Sequence, residues 1–246
     1  KKTKLILWVH TSNYVVKGFT KEVSLADLVV LGKKHNIPVM ADLGSGALLD
    51  MNQLGLADEI PVKSIVNSGP DITSFSGDKL LGGPQSGLMV GRRKWVNACK
   101  KNSLYRVLRC DKVTIGLLEE TLRSYRSQSF SKDNLSLTML TTSRKILKTR
   151  GQKVLDSLQK KTIKYLGILL VDSEVEAGSG SLPDDKIESA SLSFSPKNGK
   201  AKDLAKAFRC GSIPVVGYIH KNTFYIDLKS VLPNQIKRIS TAIQEV

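Results

Sequence analysis

Alternating runs of apolar and polar residues divide the first part of the chain into short strands and helices. Helical spacing of apolar residues predicts a helix from Leu25 to about His35, with Ser24 as its N-cap, and a shorter helix at 62–66. Four apolar runs are too short for helices and end in turn residues, so they are predicted to be strands: 5–9, 38–41, 72–75 and 87–90. The first of these strands is predicted to be buried on both faces. Because strands alternate with helices, the pattern predicts an α/β fold with a mostly parallel sheet.

From Arg92 onward the pattern becomes helical and basic, and later it alternates between helices and strands. Helices are predicted at 94–101 and 112–125, followed by a helical stretch from about Ser136 to Lys164. After a loop, the predicted elements are strands at 189–195, 215–220 and 223–228, a turn at 221–222, and helices at 201–209 and 233–246. The domain prediction is an α/β part at 1–110, a helical connector at 111–165 and a small α+β domain at 166–246.

The composition is that of a folded protein with a strong positive charge. Of the 246 residues, 41% are hydrophobic and 24% are charged, as in ordinary globular domains. The net charge of +16 indicates a polyanionic partner, with nucleic acid as the leading candidate, or else a solubilising lysine-rich surface. Cys99, Cys110 and Cys210 are too scattered for a disulfide framework or a zinc site, which indicates a reducing, cytoplasmic location. No apolar run approaches the ~18 residues of a membrane span, so no membrane association is expected.

A lysine in a glycine-rich turn is the strongest chemical signal in the chain. Lys79 lies in the segment Ser-Gly-Asp-Lys-Leu-Leu-Gly-Gly-Pro-Gln at 76–85, after a predicted strand, and Asp42 follows an earlier strand. Because the carboxyl ends of parallel strands meet at one edge, both side chains are expected there, just past the strand ends. Pyridoxal phosphate needs such a pair: an amine for a Schiff base and a carboxylate to keep its pyridinium nitrogen protonated. Ser76 is expected to donate its hydroxyl to the phosphate. The alternatives are a solvated lysine and a carboxylate that only caps a turn.

Three parts of the chain resemble bacterial selenocysteine synthases, the L-seryl-tRNA(Sec) selenium transferases. They are the lysine segment at 76–85, His-Thr-Ser-Asn-Tyr at 10–14 with Gly-Phe-Thr at 18–20, and Asp-Leu-Gly-Ser-Gly-Ala-Leu at 42–48. The resemblance runs across essentially the whole chain and is densest from His10 to Lys112. It implies the aspartate-aminotransferase-like fold of fold type I pyridoxal phosphate enzymes. Residues 1–110 would then be the C-terminal part of the large, cofactor-binding domain.

In that family, a glycine-rich phosphate-binding segment and an N-terminal tRNA-binding domain precede the region that the resemblance covers. The chain is therefore expected to be the downstream fragment of a longer protein. By itself it is expected to bind the cofactor weakly and to be a poor catalyst. Its first strand would lack sheet neighbours and leave an open apolar edge.

The resemblance also implies an activity, the conversion of seryl-tRNA(Sec) to selenocysteinyl-tRNA(Sec). Pyridoxal phosphate would be the cofactor and selenophosphate the selenium donor. The reaction would eliminate the β-hydroxyl of the seryl group and then add selenium, with Lys79 as the natural base for the α-proton. The family implies a homo-oligomer, a ring-like homodecamer built from dimers.

Two arginines and an aspartate are implied to complete the reacting centre. Arg106 and Arg109 are spaced i and i+3, so on a helix they would share one face. They form either a solvated basic face or, as the resemblance implies, a site for the anionic group of the selenium donor, which guanidinium groups match well. Asp78 is implied to lie close to the reacting centre, where we expect it to orient Lys79.

The remaining candidates are cofactor-binding residues. His10 and Tyr14 follow the first strand, and we expect them to stack on or hydrogen-bond the cofactor, or else to be structural. Gly82 and Gly83 are expected to offer backbone amides to a phosphate, such as one held by a neighbouring subunit.

Two other functions remain open. The first is a related pyridoxal phosphate enzyme that acts on a small amino acid or amino sugar without tRNA. The second is a basic RNA-binding module without the cofactor. The two arginines and the 10–14 segment favour the selenium transferase, and assays of tRNA binding and of borohydride-dependent labelling would separate the three.

Overall fold

The computed structural model describes residues 2–10, 18–56, 59–178, 186–197 and 199–246. They form two compact units, the first reaching Thr138 and the second comprising Met139–Val175 and Lys186–Val246. Within these described ranges, no helix combines the length and the apolar character that crossing a membrane requires.

The first unit contains, in its described residues, a four-stranded sheet. In spatial order its strands are β1 (Ile6–Val9), β2 (Val39–Gly44), β3 (Ile72–Ser76) and β4 (Gly87–Gly91). Strands β1, β2 and β3 run parallel, and β4 returns antiparallel to β3. The mostly parallel α/β sheet predicted from the sequence is confirmed. The carboxyl ends of the three parallel strands therefore lie along one edge.

Two helices pack on this sheet, α1 (Leu25–His35) and α2 (Val62–Asn67), and both were predicted. Helix α1 begins at the predicted residue because the Ser24 hydroxyl accepts a 3.1 Å hydrogen bond from the Asp27 amide. It ends where Asn36 adopts a left-handed conformation with φ of 53°. Buried apolar side chains join the helices to the sheet: Leu25, Val29, Val39, Ala41, Leu43, Val62, Ile65 and Phe75.

Strand β1 is not buried on both faces, which corrects the sequence prediction. Ile6 and Trp8 are half-buried against the core, whereas Leu7 and Val9 are 55% and 53% exposed. In the part of the chain that the structure describes, β1 pairs with β2 alone and is an edge strand. A continuous run of apolar residues does not show which face of a strand is exposed to solvent.

The first unit continues into helices that follow β4. They are α3 (Arg93–Lys101), α4 (Ser103–Leu108), α5 (Lys112–Arg126) and α6 (Phe130–Asp133), and α7 (Leu135–Thr141) comes next along the chain. Helices α3 and α5 confirm the basic helices predicted from the sequence.

The long helical stretch predicted from Ser136 to Lys164 is interrupted. After α7, the chain forms two separate helices, α8 (Arg144–Asp156) and α9 (Lys160–Leu166). Ser143 explains the first interruption, because its backbone is extended and its hydroxyl accepts a hydrogen bond from the Ile146 amide. A serine that caps the start of α8 in this way cannot continue the preceding helix.

The second unit is the predicted α+β part, with one strand that the sequence analysis missed. In the described residues its antiparallel sheet has the order β5 (Ile168–Val175), β6 (Ile187–Phe194), β8 (Thr223–Asp227) and β7 (Tyr218–His220). Strand β5 was not predicted, because its apolar run stands between a helical pattern and a loop. The predicted turn is confirmed, since Lys221 and Asn222 both have positive φ, as a two-residue hairpin of type I′ requires.

Helices α10 (Ala201–Cys210) and α11 (Ile236–Gln244) pack with α8 on this second sheet. Helix α11 is shorter than predicted, because Pro233–Gln235 forms a 3-10 turn. Three aromatic rings form the centre of the core, with centroids 5.3 to 5.7 Å apart: Phe194, Phe208 and Phe224. All three are essentially inaccessible to solvent, which is typical of a well-packed core.

Candidate active site

Asp42 lies within strand β2 and not past its end, which corrects the sequence prediction. The ladder between β2 and β3 continues to Gly44, which pairs with Phe75 after a register shift. Asp42 is opposite Ser74, and the Ser74 hydroxyl donates a 2.9 Å hydrogen bond to Oδ1 of Asp42. The half-buried carboxylate is therefore held in one orientation near the carboxyl edge of the sheet.

Lys79 lies three residues beyond the end of β3, as predicted, in a loop that is attached to the end of β2. The Leu80 amide donates to the Ser45 carbonyl at 3.1 Å, and Ser45 directly follows β2. Backbone hydrogen bonds from Gly77 to Ser86 also close the loop on itself. The structure thus brings Asp42 and Lys79 to the same edge, with Lys79 half-buried.

The two loops that follow β2 and β3 pack too closely for side chains at two positions. Gly46 has φ of +72°, and a Cβ atom there would collide with the Ser76 carbonyl oxygen. A Cβ atom on Gly77 would collide with the Ser86 hydroxyl and lie 2.9 Å from the Pro84 carbonyl oxygen. Gly46 thus lets the segment that carries Lys79 approach the end of β2, and Gly77 lets the loop after β3 close on itself.

The residues that flank Lys79 differ in their exposure. Ser76 ends β3 and is half-buried, as is Lys79, whereas Asp78 is exposed. A half-buried hydroxyl and a half-buried amine within one turn are suited to a small anionic aldehyde. Asp78 stands next to that pair and faces solvent.

The amides of Gly82 and Gly83 are already used within the loop, contrary to the phosphate-binding role predicted for them. Gly82 donates to the Lys79 carbonyl at 2.9 Å, and Gly83 donates to the Gly77 carbonyl at 2.8 Å. A backbone amide has one proton to donate, so in this conformation neither is available to an anion. These hydrogen bonds instead shape the turn after Lys79.

His10 lies at the same edge and has a partner that sequence reasoning missed. Its amide donates to the Asp42 carbonyl at 2.9 Å, and its ring stacks on Trp8 with centroids 5.9 Å apart. Nε2 of His10 is 3.3 Å from Oε1 of Glu59, a carboxylate that is only 5% exposed. Glu59 precedes α2 in a stretch without any recognisable motif, so nothing in the pattern pointed to it. Tyr14, the other candidate in this region, lies outside the described residues.

Glu59 controls the charge of His10. Its interaction with the imidazole raises the pKa of His10 above the ordinary value of 6.5, although burial acts in the opposite direction. A buried carboxylate is itself costly unless it is paired, so the two groups stabilise each other when His10 is protonated. The His10 backbone is joined to Asp42, and its imidazole is paired with Glu59.

Replacing Glu59 by glutamine is expected to lower the pKa of His10, and NMR titration of the imidazole measures this change. Because the folded-state pKa is raised, the pair stabilises the fold below about pH 6.5, and this contribution is lost as the pH rises through the raised value. The melting temperatures of parent and Glu59→Gln should therefore differ more at pH 5 than at pH 8. Glu22→Gln is the control, since Glu22 acts on His10 only as a weaker charge. An unchanged His10 titration in Glu59→Gln would contradict the pairing.

Arg106 and Arg109 do not share a helical face, which corrects the sequence prediction. Arg106 lies in α4, but Arg109 is the residue after its end and is extended, with φ of −64° and ψ of 143°. Asp111 caps the start of α5 by accepting hydrogen bonds from the Val113 and Thr114 amides, which requires the chain to leave the helical conformation here. Both arginines are exposed.

No hydrogen bond or ion pair in the described part of the chain joins either arginine to the strand ends that hold Asp42 and Lys79. The structure therefore brings together Asp42, Ser76, Lys79 and His10. It leaves the assignment of Arg106 and Arg109 to the same site as a proposal.

The fold of the chain identifies the structural class of the protein. The chain superimposes on D-glucosaminate-6-phosphate ammonia-lyase with a TM-score of 0.56 and 19% identity, over 97% of this chain and 56% of that one. The fold is the aspartate-aminotransferase-like fold type I, as predicted from the sequence, and the second, antiparallel sheet belongs to its smaller part. The lysine and aspartate lie at the carboxyl edge of the mostly parallel sheet, where such α/β folds bind their ligands.

Within this class, the sequence identifies one family. Residues 1–232 match the family model described as SelA, L-seryl-tRNA selenium transferase, and the chain belongs to this family. It is 39% identical to the L-seryl-tRNA(Sec) selenium transferase of Escherichia fergusonii over 92% of this chain and 50% of that protein. The enzyme of the same name from Geotalea daltonii is 38% identical over 99% of this chain and 53% of its own length. The chain spans about half the length of these curated relatives.

Proposed function

We propose that the complete protein converts L-seryl-tRNA(Sec) to L-selenocysteinyl-tRNA(Sec), using pyridoxal phosphate as cofactor and selenophosphate as selenium donor. The observation that carries the proposal is the hydrogen bond between Leu80 and Ser45, which ties the Lys79 loop to the strand that bears Asp42. Membership of the selenium transferase family supports the tRNA substrate. The protein would act as a homo-oligomer, a decamer by analogy with the family, with 1–110 contributing to the cofactor-binding domain.

The residues present at the strand ends fit pyridoxal phosphate. The Lys79 amine would bind the aldehyde of the cofactor, and the Ser76 hydroxyl would bind its phosphate. The Asp42 carboxylate would bind its pyridinium nitrogen. The Ser45 hydroxyl is fully buried and has no hydrogen-bond partner among the described residues, which is unusual for a polar atom and suits a site that a further group completes. When bound, the cofactor supplies an electron sink for the negative charge left by removal of the seryl α-proton.

Each protein group then has a defined task. Asp42, oriented by Ser74, holds a negative charge at the ring nitrogen. Lys79 binds the cofactor and, once its amine is released by the substrate, accepts the α-proton at Nζ. His10, whose pKa Glu59 raises, lies at the same edge, where its imidazole can donate a hydrogen bond to an anionic oxygen of cofactor or substrate. Asp78 orients Lys79 from the solvent side.

Arg106 and Arg109 would receive the selenium donor. Selenophosphate presents anionic oxygens, and a guanidinium group binds such oxygens through paired hydrogen bonds. Both arginines are exposed and thus accessible to a small anion. Because Arg109 lies in an extended segment, it can approach the anion independently of α4.

The test is conversion by the complete protein with pyridoxal phosphate and selenophosphate. We expect seryl-tRNA(Sec) to yield selenocysteinyl-tRNA(Sec), and we expect no product from free serine or from seryl-tRNA(Ser), the matched control substrate. Release of ammonia or turnover of a small amino acid in the absence of tRNA would favour the related enzyme without tRNA and contradict the proposal.

Binding of tRNA should depend steeply on salt. The net charge of +16 favours contacts with phosphates that release counterions, and 6–10 such contacts would weaken binding about 10³- to 10⁵-fold between 50 and 200 mM salt. A basic RNA-binding module without the cofactor would show the same salt dependence. It would differ in forming no pyridoxyl label after borohydride treatment, which is the result that distinguishes the two.

A further inference from the structure

Two polar side chains from outside the Lys79 loop, Tyr125 and Asn134, hydrogen-bond to its backbone. Tyr125, from α5, donates its hydroxyl to the Leu81 carbonyl at 2.9 Å and lies 3.3 Å from the Leu80 carbonyl. Asn134, between α6 and α7, donates through Nδ2 to the same Leu81 carbonyl at 2.8 Å. Nδ2 of Asn134 is also 3.2 Å from the Tyr125 hydroxyl, so the two donors form one network. Both converge on a carbonyl two residues from Lys79.

Asn134 and the Leu81 carbonyl form the buried part of this network, and Tyr125 is half-buried. Asn134 is 3% exposed, and its Oδ1 accepts from the Leu137 amide at 3.1 Å, so both ends of its amide group are used. Burial raises the pKa of the Tyr125 phenol, which therefore remains a donor at every working pH. The ring of Tyr125 is stacked on Phe130 with centroids 5.6 Å apart. Because Leu81 is inaccessible to solvent, water cannot replace a lost donor there at little cost.

Gly82 makes the close approach of Asn134 possible. Its φ is +71°, and a Cβ atom at this position would lie 2.5 to 2.7 Å from Nδ2 and Cγ of Asn134. A side chain at residue 82 would thus displace the amide that binds Leu81. The backbone conformation of the loop and the position of Asn134 depend on each other.

We propose that Tyr125 and Asn134 are positioning residues that lock the Lys79 loop through the Leu81 carbonyl. The Leu80 amide donates to the Ser45 carbonyl just after β2, so adjacent residues of the loop are bound by two separate segments of the chain. This inference rests on the proposed function, in which Lys79 must be released and must return to the same atom. With the backbone fixed, only the Lys79 side chain moves, so its amine returns to the same position relative to Asp42. Misplacement of a reacting group by about 1 Å can slow a reaction on the order of 10²-fold.

Two conservative variants of the complete protein test the lock. Tyr125→Phe removes one donor and keeps the ring stacked on Phe130. Asn134→Asp keeps Oδ1 as the acceptor for Leu137 and replaces Nδ2 by a carboxylate oxygen, which repels the Leu81 carbonyl. Ser124→Ala is the matched control, since it removes a hydroxyl of the same helix that donates to the Thr121 carbonyl and not to the loop.

The first readout is amide hydrogen exchange of the peptide 77–85, which needs neither cofactor nor tRNA. Loss of one buried hydrogen bond is worth about 1 kcal/mol, so exchange in 77–85 should accelerate roughly fivefold in both variants and remain unchanged in Ser124→Ala. Exchange in α1 and β2 should not change. Equal exchange in parent and variants, or faster exchange throughout the first unit, would overturn the proposal.

The second readout is turnover of seryl-tRNA(Sec). We expect both variants to lower kcat at least about tenfold while KM for the tRNA stays within about twofold, because the lock acts on Lys79 and not on tRNA binding. A loosened loop with unchanged kcat would show that the lock does not serve the reaction and would overturn the proposal. Failure of the proposed function itself is distinguishable, because it would appear in the unsubstituted protein as absence of product.

Discussion

Replacing Lys79 by alanine is expected to abolish both attachment of pyridoxal phosphate and turnover of seryl-tRNA(Sec) in the complete protein. Lys79 would hold the cofactor and also remove the α-proton, so one substitution eliminates two functions. General base catalysis alone contributes about 10²–10⁴-fold, and we therefore expect activity to fall by more than about 10³-fold. Lys79→Arg should be equally inactive, because it keeps the positive charge but has no primary amine.

Borohydride reduction followed by peptide mapping locates the cofactor directly. In the parent protein the pyridoxyl group should be found on Lys79 in the peptide that contains 76–85, and in Lys79→Ala that label should be absent. Lys63→Ala is the control, because Lys63 is an exposed lysine of the same unit that should not affect the label. A pyridoxyl group on any other lysine of the parent would show that Lys79 is wrongly assigned.

Replacing Arg106 or Arg109 by alanine is expected to slow selenium transfer on the order of 10²-fold, the typical loss when one charged donor to an anionic group is removed. The absorbance of the bound cofactor and the affinity for tRNA should change little, since no hydrogen bond or ion pair in the described part of the chain joins either arginine to the strand ends that hold Asp42 and Lys79. The prediction follows from the chemistry of selenophosphate and does not require a shared helical face.

Kinetics as a function of selenophosphate concentration separate this role from a general effect of positive charge. If the two arginines bind one anion, each single variant should raise KM for selenophosphate, and the double variant should lose less than the sum of the two effects. Lys100→Ala and Lys101→Ala are matched controls, because they remove exposed positive charges from the neighbouring helix α3. Normal turnover in both Arg106→Ala and Arg109→Ala would refute their assignment to the selenium donor.

Local features of the sequence were sufficient to predict that Asp42 and Lys79 lie at one edge of the sheet. The cap at Ser24 and the helix it starts depend on residues three positions apart, and such short-range hydrogen bonds form in the same way in almost any context. The strands that precede Asp42 and Lys79 are short apolar runs ended by turn residues. Because strand-helix-strand units place parallel strands side by side, the meeting of these two residues at one edge followed from their order along the chain.

Errors arose where a neighbouring segment decided the local structure. Arg109 has the spacing of a helical residue, but the cap formed by Asp111 at the start of α5 draws it into an extended conformation. Asp42 follows an apolar run and looks like the residue after a strand, but pairing with β3 continues the strand through it. The backbone amides of Gly82 and Gly83 are used by the loop's own carbonyl groups, which composition does not reveal.

The sequence by itself determined the α/β order of the first unit, the hairpin at Lys221 and the placement of Lys79 and Asp42 at one edge of the sheet, where their roles toward the cofactor are our proposal. All of these follow from residues that are neighbours in the chain or from the fixed geometry of parallel strands. Only the tertiary structure decided which distant groups support that pair. Glu59 is paired with His10, and Tyr125 and Asn134 donate hydrogen bonds to the loop after Lys79. These partners are far apart along the sequence, where no periodic pattern connects them. Such contacts require that buried polar atoms find partners once the chain has folded, and their identity depends on packing and not on spacing.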